Sequence, residues 1–201
     1  MATHYSAIRP DLKTGDVVLF SGKGGLSAGI KFATGSQWSH VGLVYYLKEY
    51  DLMAIWESTT LTTFADLDTG VPRKGVQIVP LSERIKTYDG EVSIRHLSKE
   101  LSSIKRKRLV SLRERFKGIP YEESELELIK AAYDGPFGAN ERDISSLFCS
   151  ELVAETFQEL GILSTTLPSN EYTPADFSDG KYDRLRLING FELEPEVAVT
   201  M

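Results

Sequence analysis

Cys149 is the only cysteine of the 201-residue chain, and it opens the segment Phe148-Cys149-Ser150-Glu151-Leu152-Val153-Ala154-Glu155-Thr156-Phe157. Apolar residues at Leu152, Val153, Phe157 and Leu160 fall on one helical face, and Gly161 stands where such a helix stops. Ser145, Ser146 and Ser150 offer capping hydroxyls at its front. A thiol in a first helical turn lies near unpaired backbone N–H groups and the positive end of the helix dipole, which favour a thiolate. The same donors can stabilise an oxyanion. A lone cysteine is more usually a buried structural residue, so the nucleophile reading needs a base from elsewhere in the chain.

Three histidines are on offer. His4 lies in an N-terminal segment expected to be mobile. His96 ends a strand just before Ser98, where it either satisfies a turn or faces solvent. His40 begins the strongest strand of the sequence, Trp38 to Leu47, β-branched and aromatic almost throughout. Lys48-Glu49-Tyr50-Asp51 makes a polar turn, and Met53 to Glu57 runs back as a second strand. If the hairpin closes over Leu47 to Tyr50, Tyr46 faces Asp51 and His40 faces Glu57. Their β-carbons would then be ~5 Å apart on one face. A slip of one residue would put them on opposite faces. Cys149, His40 and Glu57 are therefore a candidate nucleophile, base and orienter. No C-x-x-C or H-x-x-x-H pair is present, so neither a metal site nor a cofactor is expected.

The elements that must position these residues follow from hydrophobic spacing. Asp16 to Phe20 reads as a short strand, followed by the loop Ser21-Gly22-Lys23-Gly24-Gly25, which lacks the phosphate-binding G-x-x-x-x-G-K-[ST] pattern. Leu26 to Ala33 suggests a short helix. Ser58 to Lys74 is a polar, turn-rich excursion. Gly75 to Pro80 and Glu91 to His96 read as strands. Leu101, Ile104, Arg108, Leu112 and Phe116 follow helical spacing, with Ser98 as N-cap and Gly118 as stop. This helix carries Lys105, Arg106, Lys107 and Arg108, read as a solvated face with docking to an acidic or membrane surface as the minority alternative. Leu126 to Ala132 forms a further helix, Thr173-Pro174 caps a short one, and Tyr182 to Ile188 alternates like a last strand. The tail 189–201 shows no pattern.

At 41% apolar and 26% charged residues the composition is that of a globular protein, and the length suits a single domain over 1–201 with its core at about 12–188. One cysteine rules out an internal disulfide framework. A net charge of −6 argues against general nucleic-acid binding. Neither a signal-peptide pattern nor an apolar run of about 20 residues is visible, so a cytoplasmic location with no integral membrane segment is expected.

The motifs as an ordered set resemble the circularly permuted NlpC-type papain-like hydrolases of the YiiX/YebB-like kind. They are Leu12 to Phe20, Trp38-Ser39-His40-Val41-Gly42-Leu43-Val44, Glu57-Ser58-Thr59, Gly118-Ile119-Pro120-Tyr121, Phe148-Cys149-Ser150-Glu151-Leu152-Val153 and Tyr172-Thr173-Pro174-Ala175-Asp176-Phe177. Histidine precedes cysteine, the order that separates the permuted branch from ordinary papain-like enzymes. The resemblance implies an α+β papain-like core, with an antiparallel sheet of about five to six strands packed on helices. It implies Cys149 as nucleophile, His40 as general base and acid, and Glu57 as orienter. Tyr121, Trp38 and Ser39 take substrate-binding positions. The implied chemistry is thioacyl-enzyme formation on an amide or ester. Transfer to water would make an amidase, peptidase or esterase acting on a peptide, isopeptide or acyl lipid. Transfer to an alcohol or amine would make an acyltransferase. A non-catalytic module binding lipid or peptide in the same cleft is the competing reading.

Overall fold

Seven strands in one sheet organise the computed structural model, which describes residues 2–121, 148–180 and 184–201. They are β1 (Thr3–His4), β2 (Val17–Gly22), β3 (His40–Leu47), β4 (Leu52–Thr59), β5 (Gly75–Pro80), β6 (Gly90–Arg95) and β7 (Val197–Thr200). Their spatial order is β1-β7-β6-β2-β3-β4-β5, and only the β1–β7 pair is parallel. The α-helices among the described residues are α1 (Tyr5–Ile8), α2 (Gly25–Thr34), α3 (Leu81–Lys86), α4 (Ser103–Phe116) and α5 (Cys149–Glu159). The predicted helix over Leu126 to Ala132 lies outside the described residues.

Both faces of the sheet are buried, which is why β2 and β3 read as nearly continuous apolar runs rather than alternating ones. On one face Val17, Leu19, Val41, Leu43 and Trp56 pack with Leu109, Leu112 and Phe116 of α4 and with Cys149, Leu152, Val153 and Phe157 of α5. On the other, Val18, Phe20, Val44, Ile55 and Ile94 pack with Tyr5 and Ile8 of α1 and Leu81 and Ile85 of α3.

Several expectations need correction. The sheet has seven strands, not five or six, because both chain ends add to it. Val199 of the supposedly unpatterned tail pairs with Val92 on one side and Thr3 on the other. Tyr182 to Ile188 was expected to be the last strand, but its described part makes only one isolated bridge, Leu163 to Leu187. Its alternation has another cause: Leu185 and Leu187 pack on the core while Arg184 reaches the Glu171 carbonyl at 3.2 Å. The basic helix is capped by Ser102, whose hydroxyl accepts from the Lys105 N–H at 3.3 Å, rather than by Ser98.

The hairpin register also differs. Leu47 pairs with Leu52 and Leu43 with Trp56, closing over a 3-10 turn at Lys48–Tyr50 with Asp51 left-handed at φ 46°. Continued along the strands, this count sets Glu57 opposite Gly42, and His40 opposite Thr59. The displacement along the partner strand is two residues, an even number, so His40 and Glu57 stay on the same face.

Candidate active site

Cys149 is the first residue of α5 and is 3% exposed. The first intrahelical bond of α5 runs from the Leu152 N–H to the Phe148 carbonyl, so the N–H groups of Cys149 and Ser150 stand outside the helical ladder. The Glu151 carboxylate reaches back to accept from the Phe148 N–H at 3.4 Å, the acidic half of a capping box. At the far end Gly161 adopts the left-handed conformation (φ 61°) that terminates the helix. Burial runs from Cys149 to Gln158, so the backbone of Cys149 is fixed by packing along the helix.

His40 is the first residue of β3, its ring 5.4 Å from that of Phe20. Its Nε2 lies 2.5 Å from Glu57 Oε2, and Cys149 stands near enough to favour its charged form. The other oxygen of Glu57, Oε1, accepts from Arg84 Nε at 2.8 Å and from Gln77 Nε2 at 3.1 Å. Glu57 is fully buried and Gln77 is its cross-strand partner on β5.

Burial disfavours charge on both partners, yet the charges around them win. For His40, burial pulls the pKa down, but the Cys149 and Glu57 charges and hydrogen bonds push it up to about 9. For Glu57, burial pulls up, while Arg84 and His40 hold its carboxyl well below the usual carboxylate range.

A model of the permuted papain-like amidase enzymes, the YaeF/YiiX, C92 family, matches residues 11–174. The chain belongs to that family. A crystal structure described as the metalloprotein yiiX from Escherichia coli O157:H7 shares the fold, with a TM-score of 0.51 and 21% identity over 74% of this chain. The alignment spans 66% of that protein, just under two thirds of its length. No curated protein matches the sequence.

A cavity of about 430 Å³ opens beside His40. One side is the Gly22–Gly25 loop with Ser27 and Ile30, and the other is the start of the excursion, Thr59 to Leu61 with Thr63 and Phe64. Ser39, His40, Gln77, Arg84, Tyr88 and Tyr121 are also among the lining residues. Cys149, 3% exposed, is felt electrostatically by His40, Tyr121 and Tyr88. The excursion is shaped by Asp66, buried and accepting from the Ile78 N–H at 2.9 Å and the Thr69 hydroxyl at 2.8 Å.

The predicted binding residues separate. Tyr121 is buried at the cavity wall, its ring edge-on to Phe148 at 5.9 Å. Burial first, and the Cys149 charge second, push its phenol pKa up, so it keeps its proton. Ser39 lines the cavity, but its Oγ already accepts from the Gly22 N–H at 3.2 Å and donates to the Phe20 carbonyl at 3.3 Å. Trp38 is 2% exposed, packs in the core with Cys149, and donates its indole N–H to Glu196 at 3.1 Å.

His4 caps α1, with Nδ1 2.8 Å from Ser6 Oγ, and His96 Nδ1 lies 2.8 Å from Asp16 Oδ2, so neither joins Cys149. Among the described residues no group of three or more His, Cys, Asp or Glu side chains gathers as metal ligands, and both Glu57 oxygens are already engaged. No described helix is long and apolar enough to cross a membrane. In the basic run, Lys105 donates to the Leu160 carbonyl, Arg108 pairs with Glu159, and Arg106 lies 3.5 Å from Glu100.

Sequence reasoning missed Gln77 and Arg84. Gln77 carried a readable signal, since it sits mid-strand among apolar neighbours (Val76, Ile78, Val79), where a buried amide needs a polar partner. Arg84 carried none, because α3 is only six residues long and looks like an exposed turn of charges.

Proposed function

We propose that this protein is a cysteine amidase working through Cys149, His40 and Glu57. The single observation that carries the reading is that His40, whose charged form Cys149 favours, has Nε2 2.5 Å from a fully buried carboxylate. That is the nucleophile–base–orienter chain on which thiol acyl transfer depends.

In the proposed cycle the Cys149 proton is held by His40, and the sulfur attacks the substrate carbonyl carbon. The C–S bond forms as the carbonyl π electrons move onto oxygen. The backbone N–H groups of Cys149 and Ser150, at the positive end of α5, are placed to receive that oxyanion. Collapse breaks the C–N bond, His40 delivers its proton to the departing amine, and a thioester remains. His40 then takes a proton from water, which attacks the thioester, and the thiol is restored with release of the acid. Glu57 keeps the imidazole in one orientation and balances its charge throughout.

The cavity lining is mixed, with Ser27, Thr60, Thr63, Tyr88 and Tyr121 beside Ile30, Leu61 and Phe64. An amide substrate is preferred to a fatty acyl chain because the family to which the chain belongs is one of amidases. The test is a panel of matched amides, esters and thioesters, with short peptidyl and long acyl chains, against wild type and Cys149→Ala. Hydrolysis of peptidyl amides that disappears in the folded variant is expected. Turnover by Cys149→Ala would refute the mechanism, and preference for long acyl chains would refute the substrate reading. A wild type that binds these compounds and cleaves none would make the cleft a binding module.

A further inference from the structure

We propose that Arg84 is a positioning residue of the triad, holding Glu57 ionised and in a single orientation so that one carboxylate oxygen is reserved for His40. The division of the carboxylate carries this. Oε1 takes Arg84 Nε at 2.8 Å and Gln77 Nε2 at 3.1 Å, while Oε2 faces His40 Nε2 at 2.5 Å. A carboxylate gripped on one oxygen by two donors on two different elements cannot rotate without breaking both bonds. Arg84 is itself immobilised, since its guanidinium lies 4.6 Å from the Phe20 ring centroid and 5.0 Å from that of Tyr88. Its side chain is only 4% exposed, and it sits in the last turn of α3, where a cation suits the helix dipole. Phe20 also packs on His40, so one ring braces both the base and the arginine.

The electrostatic case has the same direction. A fully buried carboxyl facing only a histidine would share one proton with it, and the imidazolium would lose its counter-charge whenever Glu57 became protonated. Arg84 prevents this by making the carboxylate the favoured form independently of His40. The other groups in this field are Gln77, which is neutral, Tyr88, whose phenol is pushed up by burial, and Cys149, which acts through His40.

The proposal rests on the triad reading, and the test separates the two. Cys149 is the only thiol of the chain, so its alkylation by iodoacetamide can be followed by intact mass from pH 4 to pH 10 without any substrate. The wild-type profile supplies the reference acid limb. In Arg84→Met the acid limb should move up by about one pH unit or more, the size of one lost neighbouring charge. Arg84→Lys, which keeps the charge, should restore most of the shift. The pair Glu57→Gln with Arg84→Met should match Glu57→Gln alone, because no carboxylate remains to be held. A folded Arg84→Met with the wild-type limb overturns the proposal and leaves the triad standing. A wild-type Cys149 that reacts as a free thiol does overturns the triad and the proposal together. If Arg84→Met does not fold, the double variant decides. Recovery of the fold on neutralising Glu57 supports Arg84 as its counter-charge, and failure to recover makes Arg84 a packing residue and overturns the proposal.

Discussion

A β-carbon on Gly42 would lie 3.1 Å from the β-carbon of Glu57 and 2.8 Å from Ile55 Cδ1. The glycine is therefore the space into which the stem of the orienting carboxylate leans. Ile55 is itself fully buried and has no free volume to retreat into. Gly42→Ala should overpack the hairpin at a cost of about 1–3 kcal/mol. It should also push Glu57 from its 2.5 Å contact with His40. A lower urea midpoint together with slower Cys149 alkylation near neutral pH is the expected pair of results. An alanine variant that keeps both would show that β4 can shift without disturbing the site.

How much of this was legible in the sequence depends on how local the signal was. The nucleophile helix announced itself through its apolar stripe and Gly161, and it begins at Cys149. The His40–Glu57 pairing was reached through a register two residues out. It survived because side-chain direction repeats every two residues, so parity was enough. Arg84, by contrast, meets Glu57 across 27 positions from a helix only six residues long, whose buried face it shares with Leu81 and Ile85. β7 was equally hidden. Val197 to Thr200 is four residues long and becomes a strand because β6, more than a hundred residues away in sequence, and β1 both offer it an edge, with Val199 facing Val92 and Thr3.

The pH dependence of the site follows from His40. Its pKa rises from the ordinary 6.5 to about 9 in the folded protein. A raised value means that folding favours the protonated form. That stabilisation is complete below pH 6.5 and is lost as the pH climbs through about 9. Wild type should therefore lose stability relative to His40→Gln across that window, as read by denaturant midpoints at pH 6 and pH 9.5. The largest influence raising His40 is Cys149. In Cys149→Ala the NMR titration midpoint of His40 should fall below its wild-type value. An unchanged midpoint would separate the two residues electrostatically and break the proposed chain.

Glu57 titrates with the opposite sign. Its carboxyl is held well below the usual range, so its contribution is present above pH 4.5 and persists far into acid before being lost. Glu57→Gln removes that charge and leaves Arg84 buried without a carboxylate. Breaking a buried pair from one side costs about 3–5 kcal/mol. The variant should show a large drop in Tm near neutral pH, and the difference from wild type should stay level down to pH 4.5. A variant as stable as wild type would mean that Arg84 finds water or another acceptor.

The C-terminal segment beyond residue 174, outside the matched family region, has a stake in the catalytic strand. One oxygen of Glu196 accepts from the Trp38 indole N–H at 3.1 Å, the Ser178 hydroxyl at 2.7 Å and the Asp179 N–H at 3.1 Å. Trp38 is almost wholly buried and stands two residues before His40, so this carboxylate anchors the approach to β3. Glu196→Ala would strand the indole N–H without its acceptor, which costs about 1–3 kcal/mol. Glu196→Gln keeps an acceptor and should lose less. If the anchor matters to the base, the alanine variant should also alkylate Cys149 more slowly at pH 6, while a pure loss of stability would leave that rate unchanged below the unfolding temperature.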